Sequence, residues 1–298
     1  MKSGIINVYK EAGYTSFDVV AKLRGILGIK KIGHTGTLDP DAIGVLPVCV
    51  GKATKVCDLL TDKDKTYRAV MHLGITTDTQ DMTGKVLSTK PVDVTEDLVK
   101  EVLLSFVGNS QQIPPMYSAL KVNGKKLCDL ARQGIEIERK PRDIYISEIN
   151  ILDISLPRVT FEVSCSKGTY IRTLCHDVGQ KLNCGACMES LVRTRVSNFL
   201  IEDSITLEEI QRLKEQGKLE EKMISVDSLF EKFPEVYGVP NADGKLKNGN
   251  ALSIDEVKTE VDFTEENRSV RMYMSGGTFV GIFHWNGQVF KPEKMFLE

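Results

Sequence analysis

The residues best suited to chemistry lie in a loop punctuated by glycine. Residues 33–44 read Gly-His-Thr-Gly-Thr-Leu-Asp-Pro-Asp-Ala-Ile-Gly, so that a carboxylate, Asp39, stands immediately before a proline. Proline pushes the residue before it toward extended dihedral angles, and the glycines let other backbone approach closely. Such a loop can present an acid to a ligand. Taken alone, Asp39 could equally hydrogen-bond only within its own turn, as Asp commonly does.

The loop does not match either of the common phosphate-binding glycine motifs. A Walker A loop requires Gly-Lys-Ser/Thr at its end, whereas Gly51-Lys52 is followed by Ala53. A dinucleotide-binding fingerprint would require further glycines where Leu38 and Asp39 stand. The loop is therefore not predicted to bind nucleotide phosphates by either mechanism.

A second candidate for chemistry is the cysteine pair of Cys184-Gly-Ala-Cys187. A structural zinc site needs a second ligand pair at motif spacing, and no two of the four histidines lie three to five residues apart. A redox pair needs a strand-to-helix context, whereas these cysteines follow a predicted helix end near Asn183. We predict buried thiols, with no metal and no cofactor. A large fall in melting temperature on chelation would support the zinc alternative.

The Asp39 loop is one of several segments that resemble, in the same order, the motifs of one enzyme family. The segments are 31–40 (Lys-Ile-Gly-His-Thr-Gly-Thr-Leu-Asp-Pro), 44–47 (Gly-Val-Leu-Pro), 51–55 (Gly-Lys-Ala-Thr-Lys), 65–69 (Lys-Thr-Tyr-Arg-Ala), 112–121 (Gln-Ile-Pro-Pro-Met-Tyr-Ser-Ala-Leu-Lys), 168–173 (Gly-Thr-Tyr-Ile-Arg-Thr) and 191–194 (Leu-Val-Arg-Thr). Over essentially its whole length the chain resembles the TruB family of bacterial tRNA pseudouridine synthases.

The resemblance implies an isomerase that converts a uridine in the T-loop of tRNA, at position 55, to pseudouridine. The reaction moves uracil from an N-glycosidic to a C-glycosidic bond, which requires a nucleophile and a base for the C5 proton but no redox step. An ionised carboxylate can attack and later leave. The implied nucleophile is Asp39, paired with Arg172, because a carboxylate kept charged in a closed pocket favours a neighbouring cation. Attack on uracil C6 and attack on ribose C1′ both remain open.

Six further residues are candidates for roles around the flipped-out base, whose extrusion costs a few kcal/mol that stacking can offset. Beside the resemblance, these are Tyr67 (catalytic, stacking on the base), Tyr170 (catalytic, near the C5 proton), Leu191 (pocket wall), His34 (stacking or phosphate contact), Lys55 and Lys121 (phosphate or charge support). Taken singly, Tyr67 and Leu191 could be core residues, Tyr170 a packing residue at a helix start, and the two lysines solvated. Two alternatives remain: Asp39 and Asp41 as the carboxylate pair of a glycosidase, and an RNA-binding module without catalysis. Release of free uracil would favour the first, and absence of pseudouridine the second.

The elements that position these residues follow from hydrophobic spacing. We expect a strand at 4–9; a helix capped by Thr15-Ser16 with Phe17, Val20, Leu23 and Leu27 inward; a strand at 66–73; a helix at 96–106 with Leu98, Val102 and Leu103 or Phe106 inward; a strand at 159–165; and a helix capped by Thr169. This places Tyr170 and Arg172 at a strand-to-helix turn, where side chains commonly face a cleft.

Length and composition indicate two domains of an α+β protein. The chain has 298 residues, 41% hydrophobic and 27% charged, with a net charge of −2 that provides no overall cationic field. We predict a catalytic domain at 1–229, with a largely antiparallel mixed sheet flanked by helices. A small all-β barrel at 230–298 resembles a PUA domain through 277–282 (Gly-Thr-Phe-Val-Gly-Ile) and 291–294 (Lys-Pro-Glu-Lys).

Positive charge is local in this chain. Residues 121–142 contain seven basic side chains against three acidic ones, within an insertion at about 110–142 that we predict to contact RNA. The segment 202–266 has seventeen acids against eight bases. With no apolar run of membrane-spanning length and no signal-peptide core, we expect a cytoplasmic monomer that binds the T-arm of tRNA, without a membrane or an obligatory protein partner.

Overall fold

The computed structural model describes residues 3–260 and 268–297. The helices are α1 (Ser16–Leu27), α2 (Cys57–Thr61), α3 (Glu96–Leu104), α4 (Leu127–Arg132), α5 (Ile171–Lys181), α6 (Leu207–Glu215) and α7 (Asp243–Lys247). The strands are β1 (Gly4–Lys10), β2 (Ile32–His34), β3 (Ile43–Val50), β4 (Lys65–Leu73), β5 (Ile75–Thr77), β6 (Val86–Thr89), β7 (Gly108–Gln112), β8 (Lys121–Val122), β9 (Lys125–Lys126), β10 (Arg142–Ser155), β11 (Arg158–Cys165), β12 (Ala186–Val196), β13 (Phe199–Leu200), β14 (Glu235–Gly238), β15 (Leu252–Ser253), β16 (Val257–Lys258), β17 (Arg268–Tyr273), β18 (Phe279–Trp285) and β19 (Val289–Met295).

The larger sheet carries the order β1-β3-β12-β4-β11-β10-β7, with β2 added on β3 and β13 on β12. Only β3 and β12 pair in parallel among the described strands of this sheet; the other neighbours are antiparallel. One core lies between the central strands and helices α3 and α5, and a second lies under α1 and α6. The predicted mixed, largely antiparallel sheet flanked by helices is confirmed.

Helix α1 begins where the sequence indicates, because Thr15 and Asp18 form a complete capping box. Val20, Leu23 and Leu27 are buried as expected, but Phe17 is 64% exposed. At 3.6 residues per turn Phe17 lies roughly 100° around the helix from the buried stripe. The prediction that it points inward was wrong.

Two other local predictions also need correction. In α3, Leu98 is exposed and Val99 takes the buried position, because the apolar stripe is one residue out of phase with the predicted one. At α5, the N-cap is Tyr170 rather than Thr169, and no side chain caps the helix. Instead Gln112 accepts from the Tyr170 amide at 2.8 Å and donates to the Tyr170 carbonyl at 3.0 Å.

The C-terminal part forms a separate sheet in the order β15-β19-β18-β17-β14-β16, which is consistent with the predicted PUA-like barrel. Its own core includes Trp285 and Phe290. A further apolar cluster joins it to the large sheet, since Ile282 and Phe296 of the barrel pack in one cluster with Val45 of β3. The barrel therefore shares buried surface with the sheet that carries the Asp39 loop.

Cys184 and Cys187 are both buried, as predicted. No group of three or more His, Cys, Asp or Glu side chains suited to a metal ion occurs in the described part of the chain. None of the helices within residues 3–260 and 268–297 is long and apolar enough to cross a bilayer.

Gly44, at the end of the Asp39 loop, is a position where a side chain cannot be accommodated. Its φ is +105°, and an added Cβ would lie 2.3 Å from the carbonyl oxygen of Arg193 on the parallel partner strand. We expect Gly44→Ala to lower the free energy of unfolding by at least about 2 kcal/mol, measured by urea denaturation. The control is Gly25→Ala in α1, where a Cβ meets nothing and helix propensity favours alanine. Equal stability of the two variants would contradict the expectation.

Candidate active site

A cavity of about 310 Å³ opens between the Asp39 loop, the ends of β4 and β12, and the start of α5. The volume lies at the lower end of the range of roughly 300–1,000 Å³ usual for small-molecule sites. Its lining includes Gly36, Thr37, Leu38, Asp39, Lys65, Tyr67, Ser118, Ala119, Leu120, Lys167, Tyr170, Arg172, Leu191 and Arg193. Five predicted site residues thus meet at one cavity, although they come from distant parts of the sequence.

The centre of the site is an ion pair between Asp39 and Arg172. Arg172 Nε lies 2.9 Å from Asp39 Oδ2, and Nη2 donates to Oδ1 at 3.2 Å. The pair is bidentate, which fixes the plane of the carboxylate as well as its position. The Arg172 side chain is only 6% exposed, whereas that of Asp39 is 38% exposed. The buried guanidinium therefore fixes the carboxylate from the protein interior, and the carboxylate remains accessible from the cavity.

Arg172 is itself anchored by groups other than Asp39. Its Nη1 donates to Asp81 Oδ2 at 3.3 Å and to the carbonyl of Thr79 at 3.0 Å, and Nη2 donates to the carbonyl of Tyr117 at 2.9 Å. Asp81 is fixed in turn by the amide and hydroxyl of Thr83, at 3.0 and 2.6 Å. The guanidinium therefore has a defined orientation that does not depend on Asp39 alone.

Opposing effects act on the Asp39 carboxyl. Burial raises its pKa above the ordinary value, Arg172 lowers it, and the nearby carboxylate of Asp81 raises it again.

Beneath the loop, the fully buried Lys10 donates to the carbonyls of Pro40 and Ala42 at 2.8 and 2.6 Å. Burial lowers the pKa of Lys10 to about 8, partly offset by nearby acids. The ammonium group ties β1 to the loop that carries the nucleophile candidate.

The phenols of Tyr67 and Tyr170 enter the cavity from different elements. Tyr67 lies on β4 with its side chain buried, and burial raises its pKa while the guanidinium of Arg193 lowers it. Tyr170 is half-buried, and burial raises its pKa as well. Leu191 on β12 is buried and contributes an apolar part of the lining. The arrangement offers an accessible carboxylate, two aromatic rings and an apolar wall to a flat ligand.

The remaining three predicted residues lie outside the cavity lining. His34 is half-buried at the end of β2, where its Nδ1 accepts from the amide of Gly36 at 3.3 Å, and burial lowers its pKa. Lys121 is exposed in β8, directly after Leu120, which lines the cavity. Lys55 lies in the 3-10 segment Gly51–Val56 and donates to the carbonyl of Met295 at 2.7 Å. In this structure Lys55 contacts the barrel, not the cavity.

Three site residues were not singled out from the sequence: Asp81, Lys10 and Arg193. Asp81 lies in the turn between β5 and β6, and Lys10 directly follows the strand predicted at 4–9. Arg193 belongs to the segment 191–194, in which only Leu191 had been assigned a role. The sequence predicts no strand at either position, whereas the structure places Lys10 in β1 and Arg193 in β12, where a buried charged residue requires a partner.

The glycosidase alternative finds no support in the geometry. Asp41 is exposed and does not line the cavity, so it cannot act opposite Asp39 on a sugar bound there. The carboxylate that shares the site with Asp39 is Asp81, and it lies behind the same guanidinium.

Comparisons with known proteins give a consistent result. Residues 24–171 match the family described as TruB family pseudouridylate synthase (N terminal domain), and residues 172–231 match the tRNA pseudouridylate synthase B C-terminal domain. A protein of Lachnoclostridium phytofermentans named tRNA pseudouridine synthase B is 53% identical, covering 99% of this chain and 100% of the relative. One of Clostridium novyi with the same name is 46% identical, with coverage of 99% and 100%.

Two solved structures resemble this chain over 99% of its length. A chain of the structure titled "Crystal Structure of a Cbf5-Nop10-Gar1 Complex" has a TM-score of 0.72 and 30% identity, covering 99% of this chain and 85% of that one. A chain of "Structure of H/ACA RNP bound to a substrate RNA containing 2'-deoxyuridine" has a TM-score of 0.71 and 28% identity, again with coverage of 99% and 85%.

Proposed function

Since the chain belongs to the TruB family of pseudouridylate synthases, we propose that it isomerises the uridine at position 55 in the T-loop of tRNA with Asp39 as nucleophile. The chain is a pseudouridine synthase that acts on tRNA; the modified position and the nucleophile are the parts proposed here. The observation that carries the proposal is the bidentate Asp39–Arg172 pair on the wall of a cavity that also contains Tyr67, Tyr170 and Leu191.

The geometry of the pair suits a nucleophile that must form and then break a bond. Arg172 stabilises the ionised form of Asp39 against burial, and its further bonds to Asp81 and Tyr117 keep it in place while Asp39 is engaged. Attack on uracil C6 and attack on ribose C1′ both use the same accessible carboxylate oxygen. In either case the detached uracil must turn within the cavity before C5 bonds to C1′, and the C5 proton must then leave.

The aromatic side chains are proposed to hold the flipped nucleotide. Stacking of a base on an aromatic ring contributes roughly 1–3 kcal/mol, which is comparable with the few kcal/mol that base flipping costs. Tyr67 is the stacking candidate, and the phenol of Tyr170 is a candidate to assist removal of the C5 proton. Leu191 would contact the apolar face of the ring system. His34 is proposed to contact the displaced nucleotide at the edge of the loop.

The insertion at 110–142 is proposed as the surface that binds the RNA backbone next to the cavity. Its hairpin β8–β9 and helix α4 pack around a small core of Met116, Leu127 and Leu130. Six of its basic side chains are exposed: Lys121, Lys125, Lys126, Arg132, Lys140 and Arg142. Because residues 118–120 of the same segment line the cavity, phosphates bound here would lie beside the nucleotide that enters it.

We further propose that residues 1–229 form the catalytic domain and 230–298 an RNA-binding barrel. Lys55 lies at the junction of the two domains, where it donates to the carbonyl of Met295. It is proposed to support bound RNA phosphates from that position. The T-arm of tRNA is the proposed partner, and the protein is proposed to work as a cytoplasmic monomer without an obligatory protein partner, metal or cofactor.

The proposed substrate position is tested with an unmodified tRNA transcript and a transcript in which the T-loop uridine is replaced by cytidine. We expect pseudouridine at that one position of the first transcript and none in the second, mapped after nuclease digestion by mass spectrometry. Pseudouridine at another position in either transcript would refute the T-loop assignment. Free uracil among the products would instead indicate a hydrolase.

The raised pKa of Asp39 predicts an acid limb in the pH dependence of the reaction. Asp39 can attack only when ionised, so the single-turnover rate should fall as the pH is lowered through its pKa. Because burial raises that pKa, the fall should begin at a higher pH than the ordinary Asp value of about 3.9 would give. Rates from about pH 8 down to about pH 4, with circular dichroism as a check on folding, measure this. A flat profile over that range would contradict it.

A further inference from the structure

The largest fully buried side chain of the described residues is an arginine, Arg193, which has no role in the function proposed above. It lies on β12 and lines the cavity, with a relative exposure of 1%. Burial lowers its pKa, and Tyr67 raises it through its charge and a hydrogen bond. A buried guanidinium without an acidic partner is costly unless its donors are used elsewhere. The other groups that Arg193 binds therefore indicate what it is for.

Its donors reach the catalytic loop and the strand that follows. Nε donates to the carbonyl of Val45 at 2.7 Å, and Nη2 donates to the carbonyl of Gly36 at 3.2 Å. Nη1 lies 3.5 Å from the carbonyl of Thr37. These contacts hold the loop two to three residues before Asp39. These bonds go to backbone carbonyls of the loop and of β3, whereas the bidentate partner of the Asp39 carboxylate is Arg172.

The Arg193 side chain is also hydrogen-bonded to the side chain of Tyr67. In the antiparallel pairing of β12 with β4, Arg193 and Tyr67 are direct partners, so their side chains share one face of the sheet. A register shift between Arg193 and Arg195 follows immediately, a device that commonly redirects side chains beside active sites. Arginine carries five donors and no acceptor, so the Tyr67 hydroxyl oxygen must be the acceptor of any bond between them.

We propose that Arg193 is a positioning residue that fixes the ring of Tyr67, through its hydroxyl, relative to the loop that carries Asp39. The inference rests on the proposed function, in which Tyr67 stacks on the base and Asp39 attacks it. The planar guanidinium of Arg193 then sets the distance between the Tyr67 ring, on which the base stacks, and the Asp39 carboxylate, which attacks it. A displacement of about 1 Å in such an arrangement can lower a rate roughly 10²-fold.

The test is a double-mutant cycle with Arg193→Met and Tyr67→Phe, the second of which keeps the stacking ring and removes the hydroxyl. Single-turnover rates and RNA affinity are measured on the tRNA transcript, well below the melting temperature of each variant. We expect each single change to lower the rate about 10- to 100-fold with unchanged RNA affinity. The double variant should be no slower than the slower single variant, because both remove the same contact.

The controls separate positioning from general stability. Arg195→Met removes an arginine from the same strand that bonds Thr66 and Ser197 outside the cavity lining, and its rate should equal that of the unmodified protein. Losses that multiply in the double variant, while the unmodified protein remains active, would overturn the inference and leave the proposed function standing. If Arg193→Met does not fold, Tyr67→Phe still decides: a full rate in that variant would refute the role of the hydroxyl contact.

Discussion

Replacement of Asp39 by asparagine is expected to abolish pseudouridine formation, lowering the single-turnover rate by at least about 10⁴-fold. The amide has nearly the shape of the carboxyl but cannot form the transient bond and then leave. Arg172 keeps Asp81 and two backbone carbonyls as partners, so the site should remain assembled in the variant. RNA affinity should therefore change little while the rate collapses.

The matched control for this variant is Asp41→Asn in the same loop. Asp41 is exposed and outside the cavity lining, so its charge is lost without loss of the candidate nucleophile. We expect a rate within about threefold of the unmodified protein, since exposed charges contribute little. Product mapping by mass spectrometry reports both variants. Pseudouridine formed at a normal rate by Asp39→Asn would exclude Asp39 as nucleophile without changing the family or the reaction class.

Loss of the guanidinium is expected to have the second largest effect. Arg172→Met leaves Asp39 and Asp81 facing one position with no cation between them, so the pKa of Asp39 should rise further above its ordinary value. We expect the rate at neutral pH to fall about 10³-fold and to recover partly as the pH is raised, because ionised Asp39 then becomes more abundant. Arg172→Lys keeps the charge but not the bidentate geometry, and should lose about 10²-fold.

The pH dependence distinguishes this mechanism from a simple packing defect. Rates of Arg172→Met measured from neutral to alkaline pH should increase more steeply than those of the unmodified protein. Arg158→Met is the control, because Arg158 forms an ion pair with Glu189 at 2.8 Å on the surface, where its side chain is 56% exposed. Its rate and pH profile should be unchanged. Parallel profiles for Arg172→Met and the unmodified protein would show that Arg172 does not control the ionisation of Asp39.

The sequence predicted those site residues that belong to short local motifs. The roles of Asp39, Tyr67 and Arg172 were implied by the resemblance of their local motifs to one family, and the structure brings the three side chains to one cavity. Asp81 could not be found in this way, because its role depends on a contact with a helix distant in the sequence. Lys10 escaped for a similar reason: its acceptors are backbone carbonyls of another loop.

The errors in helix prediction have a common physical origin. Phe17 and Leu98 each satisfy a three-to-four spacing with some buried neighbours, but each lies roughly 100° from the stripe that the core covers. Only tertiary packing decides which of two overlapping apolar stripes is buried. The Tyr170 turn illustrates the same limit, since its backbone groups are satisfied by Gln112 from β7 rather than by a neighbouring cap.

The apolar cluster between barrel and large sheet has a mechanical consequence. Ile282 and Phe296 are buried together with Val45, which follows the Asp39 loop on β3, and Lys55 bonds the last strand through Met295. A truncation before the barrel would remove Ile282 and Phe296 from this cluster and so uncover part of the apolar surface that the large sheet contributes to it. The two halves should consequently unfold in one cooperative transition. The barrel should keep a fixed distance and orientation relative to the Asp39 loop when it binds RNA.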